Sequence, residues 1–331
     1  MRILVTGGTG RVGQTAVSHL LSCGHEVKII GLDEDFELAG STYARCDIDD
    51  YENLCAHVRD ADGIVHLAAI PYPGGGTPEE IFHVNCTGTF NVYQAAAAAG
   101  IKRVVSASSI NALGFNFGTV HFDIEYFPID EDHRALTTDA YSFSKQILEE
   151  TADYFWRRER ISGVQLRFPF VYIHDDTGHF GEMRAHVMQT YSELMQMAPT
   201  EQKKAVEEFW QHFSKMRQER SFEKPWEERK KEREQSAEEP QRRMYFGVSD
   251  FWSTIDARNA AIAIEKGLSS DYEGSHPLFV CDANNSTGIA SEVLAQRFYS
   301  QVQMRKKSME DTQSLLSFAR AQELIGYAPQ Y

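Results

Sequence analysis

Positive charge is what this chain is short of. It sets 33 Lys and Arg against 48 Asp and Glu, a formal net charge of −15 at pH 7. That balance favours solubility and argues against a nucleic-acid backbone as partner. Long apolar runs are missing too. No stretch is long enough to cross a bilayer, and the N-terminus enters a strand at once, so neither a membrane span nor a signal peptide is expected. Cysteine is sparse: Cys23, Cys46, Cys55, Cys86 and Cys281 are odd in number, scattered and never in Cys-x-x-Cys spacing. This is the usage of free thiols in a reducing, cytoplasmic setting. His174, Asp175, Asp176 and His179 form the one local group with possible metal ligands. They lack a zinc spacing, and no metal is expected.

What is present begins at residue 3. Ile3, Leu4 and Val5 make a short apolar strand, Gly7, Gly10 and Gly13 follow at three-residue spacing, and an amphipathic stretch over 12–21 comes next. Strand, glycine turn and helix place a dinucleotide pyrophosphate against backbone N–H groups at a helix N-terminus. Taken alone, the Gly-x-x-Gly-x-x-Gly spacing also fits an ordinary tight βα turn. A second strand at 27–30 completes a βαβ unit, and further strands are expected at 64–67, 104–106 and 164–166. Helices are expected at 51–58, 79–99 and 140–158. This alternation predicts an α/β fold, a doubly wound parallel sheet of the Rossmann kind, with a smaller, mostly helical C-terminal substrate domain. The expected division is 1–172 for the nucleotide-binding domain and 173–331 for the substrate domain, with a return toward the first near 250–280.

Residues 185–245 read as helices crowded with both charges. Within them Val206, Phe209, Trp210, Phe213 and Met216 repeat at helical spacing. Pro225 and Pro240 break the stretch that follows. A solvated helical hairpin is one reading of this insertion. A lid closing over substrate with the face of Phe209–Met216 is the other. Beyond it a helix at 255–266, a strand at 278–280 and a helix at 289–299 are expected.

The chemistry is concentrated in two places. Tyr141-Ser142-Phe143-Ser144-Lys145 sets Tyr141 and Lys145 one helical turn apart on one face. An ammonium there is expected to lower the phenol from about 10 toward the range of a general base. Upstream, Ser106-Ala107-Ser108-Ser109 ends a strand at the sheet edge where ligands bind in open α/β folds. Ser109 can hydrogen-bond a reacting oxygen there, or the serines can simply cap the next turn.

Together these stretches resemble an extended short-chain dehydrogenase/reductase of the NAD-dependent epimerase/dehydratase family. The likeness runs through Thr6–Gly13, Cys46–Asp49, His66–Ala69, Asn85–Asn91, Ser106–Ser109, Tyr141–Lys145 and Arg167–Pro169. The resemblance implies that Ser109, Tyr141 and Lys145 are catalytic. It implies that Gly7, Gly10, Arg11, Val12 and Gly13 hold a pyrophosphate and that Asp47 and Ile48 flank the adenine. Leu67, Ala68 and Ala69 would wall the ribose, with Asn85, Tyr141, Lys145 and Pro169 near the nicotinamide. It also implies a homodimer in which helices over 85–99 and 141–158 form a four-helix bundle, a packing that the alanines of 95–99 would suit.

Coenzyme and substrate are read from departures. The acid that ends the second strand in the family is replaced by Gly31, and Asp33 stands two residues later. No Lys or Arg occurs from 32 to 44, which favours NAD over NADP, while Arg11 keeps NADP open. The diphosphate-gripping arginine of nucleotide-sugar members is replaced by Ser249, in Ser249-Asp250-Phe251-Trp252. A diphosphate needs cationic donors, and only Arg242, Arg243 or Arg258 could substitute. The expectation is therefore a dehydrogenase of a sugar, sugar acid or polyol, with some likeness to uronate dehydrogenases at Trp252-Ser253-Thr254. A nucleotide-sugar 4-epimerase or dehydratase is the alternative, and a coenzyme-sensing regulator a third. Tyr72, Asn111, Phe115 and His174 are candidate substrate contacts by adjacency.

Overall fold

A computed structural model describes residues 1–174, 179–225, 227–229, 231, 244, 245 and 247–331. The strands, in chain order, are β1 (Arg2–Thr6), β2 (Glu26–Gly31), β3 (Ser41–Arg45), β4 (Gly63–His66), β5 (Val104–Ser109), β6 (Tyr126–Phe127), β7 (Gly163–Phe168), β8 (Phe170–Tyr172), β9 (Thr254–Asp256), β10 (Ser275–Phe279) and β11 (Met304–Arg305). Seven of them form one parallel sheet in the order β10-β7-β5-β4-β1-β2-β3. The order reverses about β1, which lies between β2 and β4 and so opens a crevice at its carboxyl end.

Alternation along the strands divides the core into two layers. Ile3, Val5, Ile29, Val65 and Val105 pack with Ala16, Val17 and Leu20 of α1 (Arg11–Ser22). Leu4, Ile30, Ile64 and Val104 face the other way, toward Leu54 of α2 (Tyr51–Val58) and a further helical layer. Neighbouring residues of one strand thus serve opposite faces, as the period of two requires.

The expected helix over 79–99 is broken. It consists of α3 (Pro78–Phe82), a widened π-helical turn (His83–Thr87) and α4 (Gly88–Ala98). Asn85 in the wide turn is buried and holds the Ile70 backbone through both ends of its amide. Gly88 follows it and packs closely on Ile48, whose side chain would have to shift to admit a Cβ there, 2.4 Å from its end. Ala95 and Ala96 point into the sheet and are buried, so they are not a docking face. The outer surface is aromatic instead. Phe82 stacks on Phe143, and Phe90 on Tyr154, with Phe143 and Tyr154 both from α5 (Ala140–Glu159). All four rings are exposed.

The helices α6 (His179–Gln196) and α7 (Pro199–Gln218) belong to the second half. The apolar ridge of α7 is neither solvated nor a free lid: Val206, Phe209 and Phe213 are buried among Phe115, Phe127, Tyr191, Phe251, Trp252, Phe298 and Tyr299. Aromatics at three- and four-residue spacing have built a core. Phe222 is buried with them, while most of the stretch to Arg243 lies outside the described residues.

Beyond it, the expected helix over 255–266 is a short strand, β9, followed by α8 (Ala257–Ser269), with Asp256 accepting from Arg258 N at its cap. The chain then re-enters the large sheet as β10, beside β7, before α9 (Ser291–Phe298) and α10 (Ala319–Ile325).

Candidate active site

At the crevice the glycines are each needed for a different reason. Gly7 has φ +69°, and a Cβ on it would sit 2.7 Å from Ala68 N. A Cβ on Gly13 would lie 2.5 Å from Gly7 O, so the turn closes only without side chains. Gly10, the N-cap of α1, supplies no side-chain cap, and the first turn carries no acid. A helix start with neither a side-chain cap nor an acid suits an anionic ligand, and Arg11 is exposed at the same end. Val12 and Leu67, Ala68 and Ala69 are half-buried beside this turn, and Thr6 Oγ1 accepts from Ala68 N at 3.2 Å.

At the far end of the crevice, Asp33 is exposed and its carboxylate reaches back to within 3.7 Å of where a Cβ on Gly31 would stand. The displaced acid therefore still covers the end of β2. One nearby cation was not legible there: Arg45, on β3, is the register partner of Gly31 and lies 3.4 Å from Glu34. Its sequence distance hid it. Asp47 is exposed and accepts from Asp49 N, whereas Ile48 is buried and its carbonyl accepts from Asn91. Pro169 is buried just past β7. A cradle that any Cβ would fill, an uncapped helix start and an acid at the ribose end together fit a dinucleotide.

Ser109 closes β5 and its Oγ accepts from Asn111 N and Asn111 Nδ2, both at 3.1 Å. Asp139 caps α5 by accepting from Ser142 N at 2.9 Å, which starts the helix at the right phase to turn Tyr141 and Lys145 toward Ser109. All three side chains are buried. The expected acidic phenol is not what this environment gives. Burial pushes Tyr141 up to about 12, Asp139 and Asp250 add to the rise, and a Ser109 hydrogen bond opposes it. Lys145 is lowered to about 8, first by burial. Its ammonium donates to Ala107 O at 2.8 Å and stands 5.8 Å from the phenol ring centre. Desolvation outweighs the attraction.

Two buried networks hold these groups. Glu149, one turn after Lys145, receives Arg167 through two bonds of 2.8 and 2.7 Å and Ser108 Oγ at 2.6 Å. His66 bridges Thr6 and Thr89 across β1, β4 and α4, and burial lowers it to about 3, so it is a neutral strut.

Of the expected substrate contacts, Asn111 lies beside Ser109, and among the described residues its buried Oδ1 has no partner. Tyr72 is half-buried after β4. Phe115 is 2% exposed and packs on Phe213, Phe251 and Tyr299, a core residue away from any surface. His174 is exposed, 4.0 Å from Asp256. Arg258 is held by Asp256 at 2.8 Å and stacks on Tyr331, while Ser249 is buried and donates to Tyr245 O. Asp175, Asp176, Arg242 and Arg243 lie outside the described residues. Among the described residues no cluster of three or more potential ligands could hold a metal, and no helix is long and apolar enough to cross a membrane.

Sequence reasoning missed a buried trio near Tyr141. Asn116 Nδ2 donates to Asp250 Oδ1 at 2.8 Å, and the Tyr245 hydroxyl donates to Asn116 Oδ1. Phe117 meets the Tyr141 ring edge-on at 5.9 Å between centres. No local signal joins residues 134 apart.

The sequence model of the NAD dependent epimerase/dehydratase family matches residues 3–201. UDP-glucose 4-epimerase of Bacillus subtilis is 29% identical over 177 residues, covering 47% of this chain and 50% of that protein. L-arabinose 1-dehydrogenase (NAD(P)(+)) of Haloferax volcanii is 31% identical over 182 residues, covering 53% of this chain and 69% of that protein. Among solved structures, UDP-glucose 4-epimerase from Thermotoga maritima matches with a TM-score of 0.62 at 16% identity, over 100% of this chain and 94% of the other. The chain spans about half the length of most curated relatives it matches.

Proposed function

The chain belongs to the NAD dependent epimerase/dehydratase family, and from that premise we propose that it is an oxidoreductase of the extended short-chain dehydrogenase kind, moving hydride between the hydroxyl of a sugar, sugar acid or polyol and NAD, with NADP a second acceptor. The observation that carries the reading is the meeting of Ser109, Tyr141 and Lys145 at the carboxyl edge of the sheet, two strands over from the glycine turn. When bound, the coenzyme supplies the hydride acceptor and, oxidised, a cationic ring. The protein's own part is proton handling. Tyr141 Oη takes the proton of the substrate hydroxyl during oxidation and returns one during reduction. Its raised pKa makes it an acid at neutral pH until a further positive charge enters the site. Ser109 Oγ, its lone pairs directed by Asn111, donates to the reacting oxygen. Lys145 binds ribose hydroxyls and keeps a positive charge near the phenol.

Asn85, Asp33 and the turn Gly7–Gly13 would hold the coenzyme. A homodimer would form through the exposed aromatic face of α3, α4 and α5. The similarity to UDP-glucose 4-epimerases supports a second reading, interconversion of a nucleotide-sugar. Against it, Ser249 and Arg258 offer no free cation to a diphosphate.

The experiment is coenzyme reduction followed by absorbance with free sugars, sugar acids and nucleotide-sugars. Reduction by free sugars or their acids supports the dehydrogenase. Interconversion of a nucleotide-sugar without net reduction replaces it with the epimerase. Tyr141→Phe should abolish turnover while coenzyme affinity stays near that of the parent; retained activity refutes the role given to the phenol.

A further inference from the structure

Two hydrogen-bond acceptors lie close to the buried Ser109 and Tyr141. Asp250, from the segment before β9, is 9% exposed, and its Oδ1 is taken by Asn116. Tyr245 donates to the oxygen of that same amide, which leaves its nitrogen aimed at the carboxylate. Among the described residues Asp250 Oδ2 has no hydrogen-bond partner. The carboxylate is close enough to Tyr141 for its charge to act on the phenol. A second acceptor lies next to Ser109: Asn111 Oδ1, buried and without a partner among the described residues, on the side chain whose nitrogen donates to Ser109. Arg217 and Arg258 are engaged elsewhere, the first with the Phe115 and Val120 carbonyls, the second with Asp256. Leaving Asn111 Oδ1 buried and unpaired is costly, and a ligand offsets that cost only by bringing donors.

We infer that Asp250, oriented by Asn116, is a specificity-determining residue that selects an uncharged, hydroxyl-bearing substrate, a neutral sugar or polyol, over its carboxylate- or phosphate-bearing counterparts. The inference rests on the dehydrogenase reading above and narrows its substrate class. Substrate hydroxyls donate to Asp250 Oδ2 and Asn111 Oδ1. A substrate carboxylate in the same place meets a like charge in a poorly solvated site and brings no donor. Burial raises Asp250 to about 7, so assays at pH 8 keep it ionised.

The test is calorimetric titration of the NADH-loaded protein at pH 8 with matched pairs, galactose against galacturonate and glucose against glucuronate. The neutral member of a pair should bind at least about tenfold tighter, equivalent to about 1.4 kcal/mol. In Asp250→Asn that ratio should fall toward one. Equal or tighter binding of the acids by the parent protein, no binding of any member, or an unchanged ratio in Asp250→Asn overturns the inference. The parent ratio stands even if the variant fails to fold. Coenzyme reduction on the same sugars reads the underlying activity separately. Selective binding without reduction sinks the dehydrogenase and spares the selectivity, whereas reduction without selectivity does the reverse.

Discussion

Removing Arg167 should cost far more than removing Arg167 and Glu149 together. The two side chains are 7% and 9% exposed, and the guanidinium holds both carboxylate oxygens at 2.7 and 2.8 Å. Ser108 contributes the remaining bond to the same carboxylate. In Arg167→Leu that carboxylate stays in place with one hydroxyl for a partner. Stranding a buried charge in this way costs about 3–5 kcal/mol. Replacing both by Leu removes the charge as well as its partner, and such exchanges run from neutral to mildly stabilising when packing is kept. Phe279, on which the guanidinium rests, supplies an apolar neighbour for the new side chain. The double variant should therefore recover most of the loss. Urea unfolding followed by circular dichroism, run on the parent, both single variants and the double, gives the coupling energy directly. A coupling below about 1 kcal/mol, with the double variant losing the sum of the two single losses, would show that the pair behaves like a solvated one. The network matters to the site because Glu149 is the next turn after Lys145 on α5, and Ser108 precedes Ser109 on β5.

Phe213 is 1% exposed in the aromatic core of the second half. Phe213→Ala should cost about 3–5 kcal/mol and lower the melting temperature. A variant as stable as the parent would return α7 to the role of a lid. Asp250 should also leave a signature in the pH dependence of stability. A carboxyl whose folded pKa, about 7, stands above its unfolded value binds its proton more tightly when folded. Its contribution is therefore full below about pH 4 and is lost as pH rises through 7, a span on the order of 4 kcal/mol. Stability curves of the parent and Asp250→Asn should diverge over that window; parallel curves would mean the carboxyl titrates normally.

The parts legible in the sequence are those fixed by local pattern. The strand–glycine–helix opening is one, since Ile3, Leu4 and Val5 and the glycines after them act within a dozen residues of one another. The same holds for Tyr141 and Lys145, one turn apart on a capped helix. What stayed hidden depends on distance or on small energetic balances. β3 is a half-exposed edge strand with no apolar run to announce it. The break in the helix over 79–99 arises because Asn85 must satisfy the Ile70 backbone, a demand set by another segment. The phenol was expected to be acidic because the spacing shows the ammonium and not the burial, and burial wins. Asn116 and Asp250 meet only after the second half folds back over the first.

The widened turn at His83–Thr87 has a geometric effect on the surface above it. Eight residues of regular helix would rotate Phe90 about 80° away from Phe82, taking two aromatics off one line. By absorbing one extra residue, the turn reduces that offset to about 20°. Phe143 and Tyr154, eleven residues apart on an unbroken helix, are likewise offset by about 20°. The ring pairs Phe82–Phe143 and Phe90–Tyr154 thus fall into a common stripe. One irregularity both threads the Asn85 amide inward and lines up the outward rings, so deleting a residue there would unsettle the interior and the exterior of the protein at a stroke.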